Sequence, residues 1–325
     1  MSDAATLVCL ACRARTERGR ELYSLSRVGD ELVCDNEACR RRYPIVDGIP
    51  VVAGDPAAHL ARWGQALVDG EPETLAEHLS IYLDAHWGDR ATPPPDGPAL
   101  DGPGAVGVRF GMAALAARLA ARAAVPVARA VELGCGVGRG LHELARGAGE
   151  VVGVDAQLAA LTRARQILDG EPLDYGRRIV GRHYADARIA PPPARETQAT
   201  ITLVCADAMD PPLVPGSFDR VVAVNLLDAV VSPPQVVAVA DGLCAPGGEL
   251  ILASPYAWQS GIVADEHRFG GADPAAHLRA RLVAGDGLEA PYTIADEAEL
   301  PWTLRRDARS AVVYRVHWLR ATKSR

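Results

Sequence analysis

Apolar positions along this chain fall into two rhythms. Ala128–Leu133, Glu150–Asp155, Thr200–Cys205, Ser217–Asn225 and Glu249–Ala253 are short apolar runs and read as buried strands. Between them, Leu141–Ala145, Gln157–Ala160 and Gln235–Cys244 carry the three-to-four spacing of helices. Strands alternating with helices predict an α/β fold, a doubly wound, mostly parallel sheet. The end of the chain is patterned differently. Val312, Tyr314, Val316 and Trp318 alternate with Val313, Arg315, His317 and Leu319, as in one last strand with two unlike faces.

Ahead of the sheet, residues 55 to 87 read as helical, with Leu75, Leu79, Tyr82, Leu83 and His86 on one face. Phe110 to Ala124 is a second helix, stopped by Val125-Pro126. Arg90 to Gly107, dense in proline and glycine, reads as a loop or lid hinge. A second loop is expected from Asp169 to Thr197, carrying Tyr175, Arg177, Arg178, Arg182, His183, Tyr184 and Arg188. It either covers a substrate pocket or is a solvated excursion.

The first strand runs into Glu132-Leu133-Gly134-Cys135-Gly136-Val137-Gly138. Glycines there let a backbone approach a ligand and supply positive φ. The dinucleotide fingerprint needs a third glycine three residues after the second. Arg139 or Leu141 stands there instead, depending on register, and no G-K-[ST] follows for a phosphate loop. The E-x-G-x-G-x-G that remains resembles the first motif of class I S-adenosylmethionine-dependent methyltransferases. Asp155 ends the second strand 17 residues past Gly138, where an acid accepts hydrogen bonds from both ribose hydroxyls. An Asp there is also suited to cap a helix; the spacing favours the ribose. Asp207, followed by Ala208, comes after the third strand, where this fold places the adenine edge. Asn225-Leu226 ends the fourth strand, beside the amino-acid part of such a cofactor. The expected cofactor-binding set is Glu132, Gly134, Cys135, Gly136, Gly138, Asp155, Ala156, Asp207, Ala208, Asn225 and Leu226.

The first residues hold separate chemistry. Cys9-x-x-Cys12 and Cys34-x4-Cys39 are spaced like the two knuckles of a zinc ribbon. Four thiolates leave no open position, so the metal would be structural, supplying folding energy to a unit too small for a large core. Behind them, Tyr43-Pro44-Ile45-Val46-Asp47-Gly48-Ile49-Pro50 resembles the small zinc-ribbon protein that activates several tRNA, rRNA and protein methyltransferases. Arg40-Arg41-Arg42 is either an RNA contact or a solvated face. The expected organisation is a ribbon at 1–54, a helical lead-in and linker at 55–127, and a methyltransferase domain at 128–325.

The net charge of −7 disfavours a broad nucleic-acid surface. No run nears the roughly 20 apolar residues of a membrane helix, and no signal peptide is visible, so the cytoplasm is expected. There the remaining cysteines, Cys135, Cys205 and Cys244, read as buried thiols.

Further pieces carry a second resemblance: Tyr82–Gly88, Asp207-Ala208, Asn225–Asp228, Ser254–Trp258, Gly270-Gly271 and Leu300–Trp302. Together they resemble the mercaptohistidine N-methyltransferase domain of ovothiol-biosynthesis enzymes, over about His78 to Lys323. That likeness implies a Rossmann-like, class I seven-stranded sheet and a methionine-derived cofactor. It does not carry the acceptor over, because the sulfur-inserting domain of those enzymes is absent. Methyl transfer from a sulfonium needs alignment and exclusion of water, and aromatic faces stabilise its cationic donor. Asn225, Asp228, Tyr256, Trp258 and His267 are the catalytic candidates, with Asp228, His183 and His267 as possible bases. A small-molecule N- or O-methyltransferase is the first expectation. An RNA methyltransferase gripping its substrate with the ribbon is the second, and a non-enzymatic scaffold the third. Elemental analysis should find about one zinc per chain, lost in Cys34→Ser, since a tetrahedral site takes four ligands.

Overall fold

In a computed structural model, residues 7–13, 21–64, 72–93, 111–193, 199–259 and 261–325 are described. Residues 94–107 of the expected proline-rich loop, Phe110 and the end of the second expected loop lie outside them, as does the side chain of Leu75.

The ribbon holds a short helix α1 (Leu10–Arg13) and the antiparallel strands β1 (Leu25–Val28), β2 (Glu31–Cys34), β3 (Arg42–Val46) and β4 (Ile49–Pro50), in that order across a four-stranded sheet. Next comes α2 (Pro56–His59), which starts on Pro56 because Asp55 Oδ1 accepts the Ala58 N–H at 3.0 Å. It widens into a π-turn at Leu60–Gly64. The stretch expected to be helical thus holds two helices, the second being α3 (Pro72–Trp87). Helix α4 (Ala113–Ala121) precedes the main sheet.

That sheet is built from β5 (Val127–Leu133), α5 (Arg139–Leu144), β6 (Ala148–Asp155) and α6 (Leu158–Leu168). Then come β7 (Leu173–Val180), β8 (His183–Ile189), β9 (Thr200–Cys205), β10 (Phe218–Val224), α7 (Pro233–Leu243) and β11 (Cys244–Ser254). The chain closes with α8 (Pro274–Ala284), β12 (Tyr292–Arg305) and β13 (Ala311–Lys323). The seven strands stand in the order β12-β13-β11-β10-β5-β6-β9. All pairs are parallel except those of β13, antiparallel to both neighbours. The apolar runs have no polar face because both sheet faces are covered. Val131, Val221 and Leu250 join one core, and Ala130, Val222 and Ile251 the other.

Two expectations are corrected. The insert after α6 is a hairpin, β7–β8. Its sequence alternates poorly, and tertiary contacts decide it. Buried Arg177 donates through Nε to Asp84 of α3 at 2.9 and 3.1 Å, and the Tyr175 hydroxyl donates to the same carboxylate. In the last strand the alternation ends at Arg315, and Val316 to Leu319 are all buried. There β13 lies between β11 and β12 with both faces covered.

Two features shape the carboxyl edge of the sheet. Pairing of β11 with β13 stops at Ser254↔His317, whereas β12 and β13 stay paired out to Arg305↔Ala311, so this hairpin overhangs the edge. At the far side the ribbon covers β9. Val51 bridges Cys205 in parallel, Val52 N–H donates to the Cys205 carbonyl at 2.9 Å, and Val8 N–H donates to the Pro212 carbonyl at 2.9 Å. The edge strand, otherwise a row of unpaired backbone groups, is thereby capped. Leu7, Cys9 and Val52 share one core with Val131 and Leu213. Among the described residues no helix is long and apolar enough to cross a membrane. Val52→Pro, which removes the donor to Cys205, should cost about 3 kcal/mol or more in urea unfolding.

Candidate functional site

The four ribbon cysteines converge, with all sulfurs within 4.8 Å of one another. Cys12 and Cys34 Sγ lie 3.6 Å apart, and Cys9 and Cys39 Sγ 3.9 Å. A tetrahedral zinc with 2.3 Å bonds to sulfur needs edges of about 3.8 Å. Asn36 Nδ2 donates to Cys12 Sγ at 3.4 Å, and Tyr43 Oη lies 3.4 Å from Cys9 Sγ. Such outer contacts orient thiolate ligands. The donor set fits a structural zinc.

The glycine turn joins β5 to α5. Gly134, Gly136 and Gly138 have φ of 71°, 50° and 83°. Gly136 faces open space, whereas a Cβ at Gly134 would stand 2.7 Å from Leu226 Cδ1, which brings the end of β10 against the turn. A Cβ at Gly140 would collide with the Glu132 carboxylate. That carboxylate is buried, and its Oε2 has no partner among the described residues. Burial, with the charge of Asp155, pushes its pKa up to about 8, against a bond from the Leu141 N–H. Cys135 is a buried thiol in this turn, as Cys205 and Cys244 are elsewhere.

Asp155 closes β6 beside the turn. Its Oδ2 accepts the Gly136 N–H and its Oδ1 the Gln157 N–H, both at 2.8 Å. The N-cap position of α6 is Gln157, whose side chain makes no cap bond, and Asp155 holds the backbone N–H of that residue. Burial raises the Asp155 carboxyl, and these two N–H donors oppose the rise. The Ala156 carbonyl lies 3.0 Å from His59 Nε2. Asp207 is exposed past β9, its Oδ1 accepting the Met209 N–H at 2.9 Å, while Ala208 is buried. A cavity of about 320 Å³ opens beside Asp207, and Leu10, Val52, His59 and Arg62 line it too. The ribbon therefore forms one wall of the region expected to meet the adenine.

At the middle of the edge, Asn225 sits at φ 53° with buried Oδ1 lacking any partner among the described residues. Asp228 is buried and accepts from Ser254 Oγ at 3.3 Å; burial raises its carboxyl, opposed by backbone donors that include Ala257. Tyr256, two residues past β11, holds φ 51°, a strained value for an aromatic residue. Its hydroxyl lies 2.8 Å from His317 Nδ1, and His317 Nε2 lies 2.9 Å from Glu297 Oε1. Tyr256 and Trp258 thus pack against the core on the α7–α8 face, with ring centroids 5.6 Å apart. His267 and His183 are exposed, on a one-turn helix and at the start of β8, and neither joins the group around Asp228.

Four residues outside the expected site set line the opposite face of this edge. Tyr82 of α3 meets Trp302 of β12 edge-on at 6.5 Å, and Trp302 stacks on Tyr314 at 5.2 Å. Burial, then the charge of Asp228, pushes the Tyr82 hydroxyl up to about 12, and Asp155 adds to this. His86, one turn along α3, is held neutral by burial, with its pKa down at about 3. The charges of Asp155 and Asp228 thus act on Tyr82, and those of Glu297 and Glu299 on Tyr256. Tyr82–Gly88 and Leu300–Trp302 were visible as resembling segments, but helical spacing marked Tyr82 only as a packing residue.

Unpartnered acceptors Glu132 Oε2, Gln157 Oε1 and Asn225 Oδ1, around a turn with open space at Gly136, suit a ligand rich in hydrogen-bond donors and positive charge. Sheet order and turn define the class I methyltransferase fold. Residues 131–252 match the family model described as methyltransferase domain, and residues 4–48 the one described as Trm112p-like protein. The protein is an S-adenosylmethionine-dependent methyltransferase, and its N-terminal unit is Trm112p-like. No curated protein matches the chain. Similar solved structures include magnesium protoporphyrin IX methyltransferase from Synechocystis PCC 6803. It is 17% identical, covering 82% of this chain and 97% of that one, with a TM-score of 0.47. N-methyltransferase NodS from Bradyrhizobium japonicum WM9 is 15% identical, covering 65% and 93%, with a TM-score of 0.42.

A carboxyl raised in the folded state binds its proton there while the unfolded chain has lost it. Stability should therefore fall as pH rises from the ordinary 4.5 of Glu132 toward about 8. Glu132→Gln should flatten that decline in thermal-melt series without ligand. Asp155→Ala should weaken S-adenosylmethionine binding by at least tenfold in calorimetry, as loss of a charged hydrogen-bond acceptor predicts.

Proposed function

We propose that the protein methylates a nitrogen or oxygen of a small molecule, an amino-acid derivative or specialised metabolite. The observation that carries this reading is the aromatic layer on one face of the edge: Tyr82 meets Trp302 edge-on, Trp302 stacks on Tyr314, and the charge of Asp228 reaches the Tyr82 hydroxyl.

S-adenosylmethionine, when bound, supplies an activated methyl group on a sulfonium. The Gly134–Gly138 turn, Glu132, Asp155, Asp207 and Asn225 would hold it, with Ala156, Ala208 and Leu226 as apolar neighbours. Tyr82, Trp302 and Tyr314 keep water out and offer aromatic faces to positive charge. Asp228, raised by burial, is the carboxylate placed to take a proton from an acceptor N–H or O–H. Tyr256 and Trp258 support that carboxylate through the loop whose Ala257 N–H reaches it.

The Trm112p-like match favours a second reading, an RNA methyltransferase whose ribbon binds substrate. Two of the three ribbon arginines are engaged within their own surroundings: Arg41 on the Gly54 carbonyl at 2.6 Å and Arg42 on Glu31. One of the three charges is thus answered by an acid, and a second guanidinium is tied to the backbone. Incubation with labelled methyl donor and cell extract, split into RNA, protein and small-molecule fractions, should place label in the small molecules. Label in RNA would reverse the ranking.

A further inference from the structure

The arginines of β7–β8 and of the chain before β13 take no part in the cofactor site. The structure nevertheless brings them together. The turn at the end of the β12–β13 overhang meets the end of the β7–β8 hairpin, where Ala308 N–H donates to the Ile179 carbonyl at 3.0 Å. Arg178 and Arg182 stand at one tip, and Arg305, Arg306 and Arg309 at the other. Few acids answer them. Arg178 pairs with Glu77 of α3. The Asp307 carboxylate accepts from Arg309 N–H at 2.8 Å and Ser310 Oγ at 2.9 Å, and the charge of Arg178 acts on it as well. Arg306 and Arg309 are exposed, and their guanidinium groups bond to nothing among the described residues.

This concentration of positive charge sits on a chain of net charge −7. It lies beyond the aromatic layer, along the same two elements. Arg305 lies three strand residues beyond Trp302, roughly 10 Å along β12. Glu77 and Tyr82 belong to the same helix, so α3 runs from the tips down to the aromatic layer.

We propose that the paired tips form a collar for an anionic group, a carboxylate or phosphate, on the methyl acceptor. This rests on the small-acceptor reading given above and adds the acceptor's charge and reach. Guanidinium forks match such oxyanions bidentately. Arg306 and Arg309, exposed to solvent, also draw an anion toward the rim, an attraction that salt screens. The acceptor would carry its nucleophile toward Asp228 and its acidic group at the rim, roughly 10 Å from the aromatic layer.

The test is calorimetry on the full chain, with and without S-adenosylhomocysteine, using benzoate, phenyl phosphate, neutral benzamide and mixed tRNA as probes. Benzoate or phenyl phosphate should bind at least tenfold more tightly than benzamide, and the better of the two identifies the oxyanion. Arg306→Gln with Arg309→Gln should cut that affinity about tenfold, while Arg27→Gln with Arg281→Gln, remote and of equal charge change, should not. Benzamide binding as well as the anions, or an unaltered double variant, would overturn the collar. So would tRNA binding that exceeds both small anions and falls steeply with salt, which would make the rim a nucleic-acid surface. S-adenosylhomocysteine affinity in the same samples reads the underlying assignment separately: its loss sinks the cofactor site, its retention with failed anion arms sinks the collar alone.

Discussion

Two acids at adjacent strand ends set the terms for the rest of the molecule. Glu132 and Asp155 stand on neighbouring parallel strands, and the glycine turn folds over both. Burying a carboxylate without a partner is costly, and two together are worse. The chain meets part of that cost with backbone donors: Gly136 and Gln157 on Asp155, Leu141 on Glu132. It leaves Glu132 Oε2 with no partner among the described residues. A donor-rich, positively charged ligand would relieve both acids at once.

The parallel sheet follows from that need. Only a parallel pair with crossover helices puts β5, β6, β9 and β10 carboxyl-end first on one edge. Everything placed around the edge then has one of two tasks. The ribbon closes the β9 flank, and the β12–β13 overhang with α3 closes the opposite flank. Both lids are antiparallel or helical additions, so they vary the site without disturbing the register beneath it.

How much of this could be read from the chain depends on whether neighbours or distance fix the outcome. Local signals were sufficient for the strands and the glycine turn, because a continuous apolar run bounded by glycine has few other solutions. Cys9, Cys12, Cys34 and Cys39 were legible because metal chemistry constrains spacing, and their sulfurs do converge. The β7–β8 hairpin was not legible: its strand state depends on Asp84, some 90 residues earlier, holding Tyr175 and Arg177. Nor was Tyr82, since periodicity says which face a residue shares and not what lies opposite. Tyr256 was singled out for its place after β11, yet its positive φ swings the hydroxyl to His317, on the far face.

The capped β9 edge has a further consequence. Where a cap is a separate protein, an enzyme can lose it on dilution, and its activity tracks the supply of a second chain. Here Val52 and Cys205 belong to one polypeptide, so the cap's effective concentration is set by the tether, on the order of millimolar for a short linker. Its occupancy is then independent of how much protein is present. The Trm112p-like unit is thus held one to one with the methyltransferase domain, in a ratio that expression level cannot change.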